Sequence, residues 1–178
     1  TLSGRAPIAS NIDSLAKDGI LFTNCFANGY RTDRALPAIL SAYPSQPTTS
    51  IMKDVTKTDN LPSIPRTFKQ NGYELTYYYG GDANFTNMYA FLVSAGFDQI
   101  ISDKNFPLSQ RLSKWGAHDH IVFNKCINDI TTYNDTIATL RVIQTSSSHE
   151  PFEVPHYNPN LTDIRANAFE YSDSCLGD

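Results

Sequence analysis

The chain has 178 residues, enough for one domain with a sizeable core, and its 18% charged and 12% aromatic content argues against disorder. A formal net charge of -4 argues against nucleic acid as a partner, because phosphate binding shows as a basic surplus. No run of about 18 apolar residues occurs, which excludes a spanning helix in this stretch, and no basic segment precedes an apolar one as in a signal peptide.

Residues 11–19 predict a short helix, with Asn11 as cap, Ile12, Leu15 and Ala16 on one face and Gly19 as stop. Residues 20–27 (Ile-Leu-Phe-Thr-Asn-Cys-Phe-Ala) predict a strand, with Gly29 as a turn. From Thr32, Leu36, Ile39 and Leu40 recur at helical spacing. Pro37 falls early in that helix, where its missing N–H costs least, and Tyr43-Pro44 ends it. Residues 48–63 read as a polar loop, and 64–72 as a helix closing at Gly72. Residues 73–81 read as a strand ending at the Gly80-Gly81 turn, 84–97 as a helix stopped by Gly96, and 97–102 as a short strand. A helix follows over 120–133, with Ile121, Phe123, Cys126, Ile127 and Ile130 on or near one face. Residues 137–148 read as a buried strand and 161–178 as a final helix. Cys25, Cys126 and Cys175 lie far apart in apolar surroundings and read as buried thiols. Strands alternating with helices argue for an α/β fold, a mostly parallel sheet with helices on both faces. Thr1 is no initiator methionine and the last helical pattern is still running at Asp178, so the whole reads as one partial domain, an excerpt of something longer.

In open α/β sheets, ligands gather at the carboxyl ends of strands. Three polar clusters fall there: Asn28 to Asp33, Gly80 to Asn87, and Thr145 to Phe152. Thr32 has two readings, a helix cap or a nucleophile held at the positive end of a helix dipole. Asp82 and Asn84 suit a turn that caps the next helix. His149, in Ser-Ser-Ser-His-Glu-Pro-Phe, reads as a positioned imidazole. Trp115 is the single tryptophan, with His118, Asp119 and His120 beside it. A His-x-His pair can bind metal, yet the start of a helix turns these two to different faces.

These blocks, with Ser102 to Pro107 between them, resemble in order and spacing the sulfatase-like branch of the alkaline phosphatase superfamily. Within it, the likeness is to the lipoteichoic acid synthase and phosphoglycerol transferase group. The resemblance covers the chain from about Ser10 to Gly177. It implies an alkaline phosphatase-like fold in which Thr32 is the nucleophile, bound to a divalent metal, with manganese expected and magnesium or zinc also suited. It implies that His149 and Trp115 sit on the substrate side. Arg34, two residues after Thr32, could contact phosphate or simply form a salt bridge. The stretch Thr32-Asp33-Arg34-Ala35-Leu36 has neither the Cys or Ser that becomes formylglycine in true sulfatases nor the matching Pro, which argues against that sulfate-ester route. The remaining metal ligands are expected outside this chain: an acidic residue upstream and an Asp-His pair downstream. The chain alone is therefore expected to be inactive, to hold no metal at Thr32, and to form a homo-oligomer through strands left without neighbours. The implied parent is an extracytoplasmic, membrane-anchored bacterial enzyme acting on a phospholipid or glycan-phosphate. A phosphate-ester hydrolase and a catalytically dead glycan- or polymer-binding domain are the rival readings.

Overall fold

A computed structural model describes residues 8–132 and 136–177 of the chain. One strand organises it. β1 (Glu74–Tyr79) runs parallel to β2 (Gln99–Ile101) on one edge and to β3 (Thr139–Gln144) on the other. The register sets Thr76 opposite Gln99, and Glu74 opposite Thr139. Glu-Leu-Thr-Tyr-Tyr-Tyr suits this place because β-branched and aromatic side chains fit a pleated surface. Alternation along the strand sends Leu75, Tyr77 and Tyr79 into one core with Phe91, Leu92 and Phe97. Tyr78 faces the other way, into a second core with Phe106, Ala117, Val122 and Cys126.

Among the described residues seven α-helices surround the sheet: α1 (Ser10–Asp18), α2 (Thr32–Ser41), α3 (Val55–Thr58), α4 (Ile64–Gln70), α5 (Met88–Ala95), α6 (Asp119–Thr132) and α7 (Ile164–Gly177). Helices α2, α4 and α5 supply the first core and α6 the second, so both faces of the parallel sheet are covered, as such sheets require. The α/β architecture is the one the alternating pattern predicted.

Several expectations need correction. Residues 20–27 form no strand. They pair with neither outer edge of the sheet, that of β2 or that of β3. Ile20 and Phe26 are each 86% exposed, and Cys25 is exposed while Cys126 and Cys175 are buried. The loop over 48–63 carries α3 and a tight turn that buries Met52. Helix α5 begins at Met88 rather than Asn84, because Thr86 and Asn87 have left-handed backbone (φ 55° and 61°) that a helix cannot continue. In α6, Val122 and Cys126 are buried, whereas Ile127 and Ile130 face solvent; Tyr133, expected at its end, lies outside the described residues. β3 is half-buried along its length rather than fully buried. The apolar residues Ile12 and Leu15 of α1 are exposed. What holds α1 is a cap from α7: the buried Asp173 carboxylate accepts the N–H groups of Asn11 (2.8 Å) and Ile12 (3.0 Å).

Helix α2 carries its own repair. Pro37 has no N–H, so the Asp33 carbonyl one turn earlier loses its helical donor. The Ser50 hydroxyl donates to that carbonyl instead, in a buried position. Ser50→Ala should therefore destabilise the fold by about 1–2 kcal/mol, the usual cost of stranding a buried acceptor. In a Pro37→Ala background, which restores the N–H, the same change should cost clearly less in denaturant melts.

Candidate active site

Three loops converge at the carboxyl end of the sheet. Thr32 is the first residue of α2, preceded by Arg31 in extended conformation (φ -130°, ψ 147°), and no side-chain cap bond forms at this end. The cap role expected of Thr32 is thus not taken up, and its hydroxyl stands where unpaired N–H groups and the helix dipole favour negative charge.

The second loop, residues 113–118, presents Trp115. It is closed by reciprocal backbone bonds between Ser113 and Gly116 (3.1 and 3.0 Å) and tied to the end of β1 by the Ala117 N–H, which donates to the Gly80 carbonyl at 3.0 Å. This approach requires glycine on both sides. A Cβ on Gly116 (φ 98°) would lie 2.1 Å from the Gly80 oxygen, and a Cβ on Gly80 would lie 2.2 Å from the Ala117 oxygen. The third loop follows β3 and presents His149, whose N–H donates to the Ser146 carbonyl at 3.0 Å. Its ring Nδ1 is 3.0 Å from the Glu150 carbonyl, which can only accept, so Nδ1 carries a proton and Nε2 is left for exchange. The Trp115 indole N–H donates to the same Glu150 carbonyl at 2.6 Å, and the Trp115 and His149 rings lie 4.4 Å apart. Phe85 meets Trp115 edge-on at 6.3 Å.

Tyr30, Arg31, Thr32, Asp33, Phe85, Thr86, Trp115 and His149 enclose a cavity of about 350 Å³. A recess of about 70 Å³ continues from Thr32 and His149 toward Tyr79, Gln144 and Ser146. Burial pushes the Tyr79 phenol up to about 12, so it stays neutral there. Arg34 does not line the cavity. Its guanidinium lies 5.1 Å over the Tyr30 ring, and the residue lines a separate recess with Tyr43 to Gln46. Among the described residues the cation that lines the cavity is Arg31, which sequence reasoning passed over although it directly precedes Thr32. Asp33 is buried, its carboxylate 3.6 Å from the nearby Arg31 Nε and 3.8 Å from the distant Lys53 Nζ. Asp82 and Asn84 shape the turn after β1: Asp82 Oδ1 accepts the Asn84 N–H at 2.9 Å. Neither lines the 350 Å³ cavity, and Asp82 borders a separate recess with Phe85 and Trp115.

His118 and His120 stand apart from this cavity. Their rings are stacked 6.4 Å apart, His118 is 5% exposed with Nδ1 unpaired, and His120 Nδ1 meets the Tyr171 hydroxyl. Among the described residues no group of three or more His, Cys, Asp or Glu is placed to hold a metal ion.

A parallel sheet covered by helices on both faces, with polar loops gathered at its strand ends, is an alkaline phosphatase-like fold. The Sulfatase family model matches residues 1–177, and the chain belongs to that family. Several solved structures share the fold, three of them as follows. A protein of the alkaline phosphatase superfamily from Vibrio parahaemolyticus is 33% identical with a TM-score of 0.83, over 96% of this chain and 43% of its own. The lipoteichoic acid synthase LtaP from Listeria monocytogenes is 22% identical with a TM-score of 0.83, over 96% and 44%. Streptococcus pyogenes phosphoglycerol transferase GacH, in complex with sn-glycerol-1-phosphate, is 14% identical with a TM-score of 0.65, over 96% and 49%. The chain thus spans less than half the length of each. No described helix is long and apolar enough to cross a membrane.

Members of this superfamily are enzymes that generally depend on a divalent metal. The residues around Thr32 do not by themselves fit one. The Thr32 hydroxyl has the Asp33 carboxylate as its acidic neighbour, and that group is drawn toward Arg31 and Lys53. One hydroxyl and a carboxylate so placed do not compete with water for a divalent ion.

Burial, above all, lowers the pKa of both His118 and His120. The unfolded chain therefore binds protons more readily than the folded one below the ordinary histidine value of about 6.5. Stability is full above that pH and falls as pH drops through the lowered values. Melts from about pH 7.5 to about pH 5.5 should show this loss, and His118→Gln should flatten it.

Proposed function

We propose that the chain is the central part of the catalytic domain of an extracytoplasmic, membrane-anchored bacterial phosphotransferase of the phosphoglycerol transferase type. Its substrate would be a phospholipid or polyol-phosphate diester, and Thr32 its nucleophile. The observation that carries this reading is the convergence of Thr32, Arg31, Trp115 and His149 from three loops on one cavity. A threonine cannot be converted to formylglycine as a cysteine or serine can, which favours phosphoryl transfer over the sulfatase route.

In this reading Thr32 gives up its proton to solvent and its Oγ attacks phosphorus. A P–Oγ bond forms as the bond to the lipid alkoxide breaks, and that alkoxide takes a proton from the His149 imidazolium. An acceptor hydroxyl then loses its proton to the neutral imidazole as it displaces Thr32, which regains a proton from solvent. Arg31 holds a non-bridging phosphate oxygen, the role first assigned to Arg34, and its guanidinium suits that geometry. Phe85, Trp115 and Tyr30 wall the space where a glycerol or sugar would lie. When bound, a divalent ion (manganese, with magnesium or zinc as alternatives) would lower the cost of the Thr32 alkoxide; its other ligands would come from outside this chain.

The test is kinetic, in the intact polypeptide that carries this chain, supplied with manganese and phosphatidylglycerol. Thr32→Ala should abolish turnover while the melting curve is kept, and Thr32→Ser should retain part of it. His149→Ala should lower kcat by roughly 10²-fold. Arg31→Ala should raise KM about 10-fold, and Arg34→Ala should not. Near-full activity in Thr32→Ala would sink the assignment.

A further inference from the structure

Asp119 is a carboxylate that the proposed chemistry does not use, yet it is 1% exposed and heavily bonded. Its Oδ1 accepts the backbone N–H groups of Ser146 (2.8 Å) and Ser147 (3.1 Å). Its Oδ2 accepts the Ser172 hydroxyl at 2.7 Å, and its own N–H donates to Ser147 Oγ at 3.0 Å. One buried side chain thereby joins the start of α6, the end of β3 and the middle of α7. Both bonded N–H groups lie in the turn that presents His149, because the Ser146 carbonyl accepts the His149 N–H at 3.0 Å. Two residues before Asp119, Ala117 fastens the Trp115 loop to Gly80, and Trp115 packs against His149 at 4.4 Å. The imidazole is thus held from both sides by a structure that meets at Asp119.

We infer that Asp119 is the positioning residue for His149: it fixes the 146–149 turn so that the imidazole sits against Trp115 and over the Thr32 cavity. This rests on the reading of His149 as the proton donor. Buried N–H groups that lose their acceptor seek another, and a displaced turn would carry the ring with it. A misplacement of about 1 Å at a catalytic group is enough to slow a reaction by roughly 10²-fold.

The experiment is a double-mutant cycle on kcat in the intact polypeptide with manganese and phosphatidylglycerol, using Asp119→Asn and His149→Ala, with melting curves recorded for each variant. Asp119→Asn keeps an oxygen for the two N–H groups but replaces the acceptor facing Ser172. It should lower kcat by about 10-fold with KM changed less than about 2-fold. In the His149→Ala background the same change should cost nothing further, since the residue it positions is gone. Losses that multiply would show that Asp119 only stabilises the fold, and full kcat in Asp119→Asn would overturn the inference outright. If Asp119→Asn does not fold, Ser172→Ala removes one bond alone and should show a smaller loss with the same dependence on His149; a loss independent of His149 overturns the inference. Full activity in His149→Ala would overturn the reading of His149 itself, and with it this inference, a result distinct from multiplying losses.

Discussion

The close contact between the end of β1 and the loop that follows at residues 113–118 is what the site depends on. Gly80 and Gly116 meet with backbone atoms where any Cβ would fall within 2.2 Å of a carbonyl oxygen, so the tryptophan loop sits directly on the strand end. The strand cannot shift to relieve that contact. Its two edges are hydrogen-bonded to β2 and β3, and its two faces are buried in separate cores. From this fixed point Trp115 reaches the His149 loop through the Glu150 carbonyl and the His149 ring, and Phe85 meets the indole edge-on.

This arrangement divides the labour at the cavity. Rigid aromatic side chains set its shape, while the groups that would handle charge, Arg31 and His149, are solvent-accessible and stand on loop backbone. Thr32 differs from both: it is fixed by a helix whose internal defect at Pro37 is repaired by Ser50. A hydroxyl on a helix start, with an imidazole and a guanidinium on adjoining loops, would suit the proposed displacement of one oxygen at phosphorus by another.

Much of the fold was legible because local signals and tertiary needs agree. Glu74 to Tyr79 is bounded by Gly72 and by Gly80-Gly81, and Gly96 ends α5 in the left-handed conformation only glycine adopts freely. Residues 20–27 have equally strong β-forming composition but pair with neither open edge of the sheet, and composition cannot report which strands pair. The candidate site was legible through the resemblance more than through physics. Thr32, Trp115 and His149 lie far apart in sequence, and the structure brings them to one cavity. Arg31 was missed because its direction turns on where α2 begins. The extended residue before the helix faces the cavity, whereas Arg34, within the first turn, is carried round over Tyr30. Asp119 was hidden between two histidines, and its partners at 146, 147 and 172 are distant in the chain. The available signal was a carboxylate at a helix start whose neighbours are otherwise apolar.

The central claim is that Thr32 becomes covalently linked to the substrate's phosphorus. The direct measurement is peptide mapping by mass spectrometry of the intact polypeptide, quenched during turnover of phosphatidylglycerol in the presence of manganese. The account predicts a glycerophosphoryl ester on the peptide containing Thr32, located to that residue by fragmentation and discharged when an acceptor alcohol is added. Turnover with no adduct, or an adduct on any other residue, would contradict it.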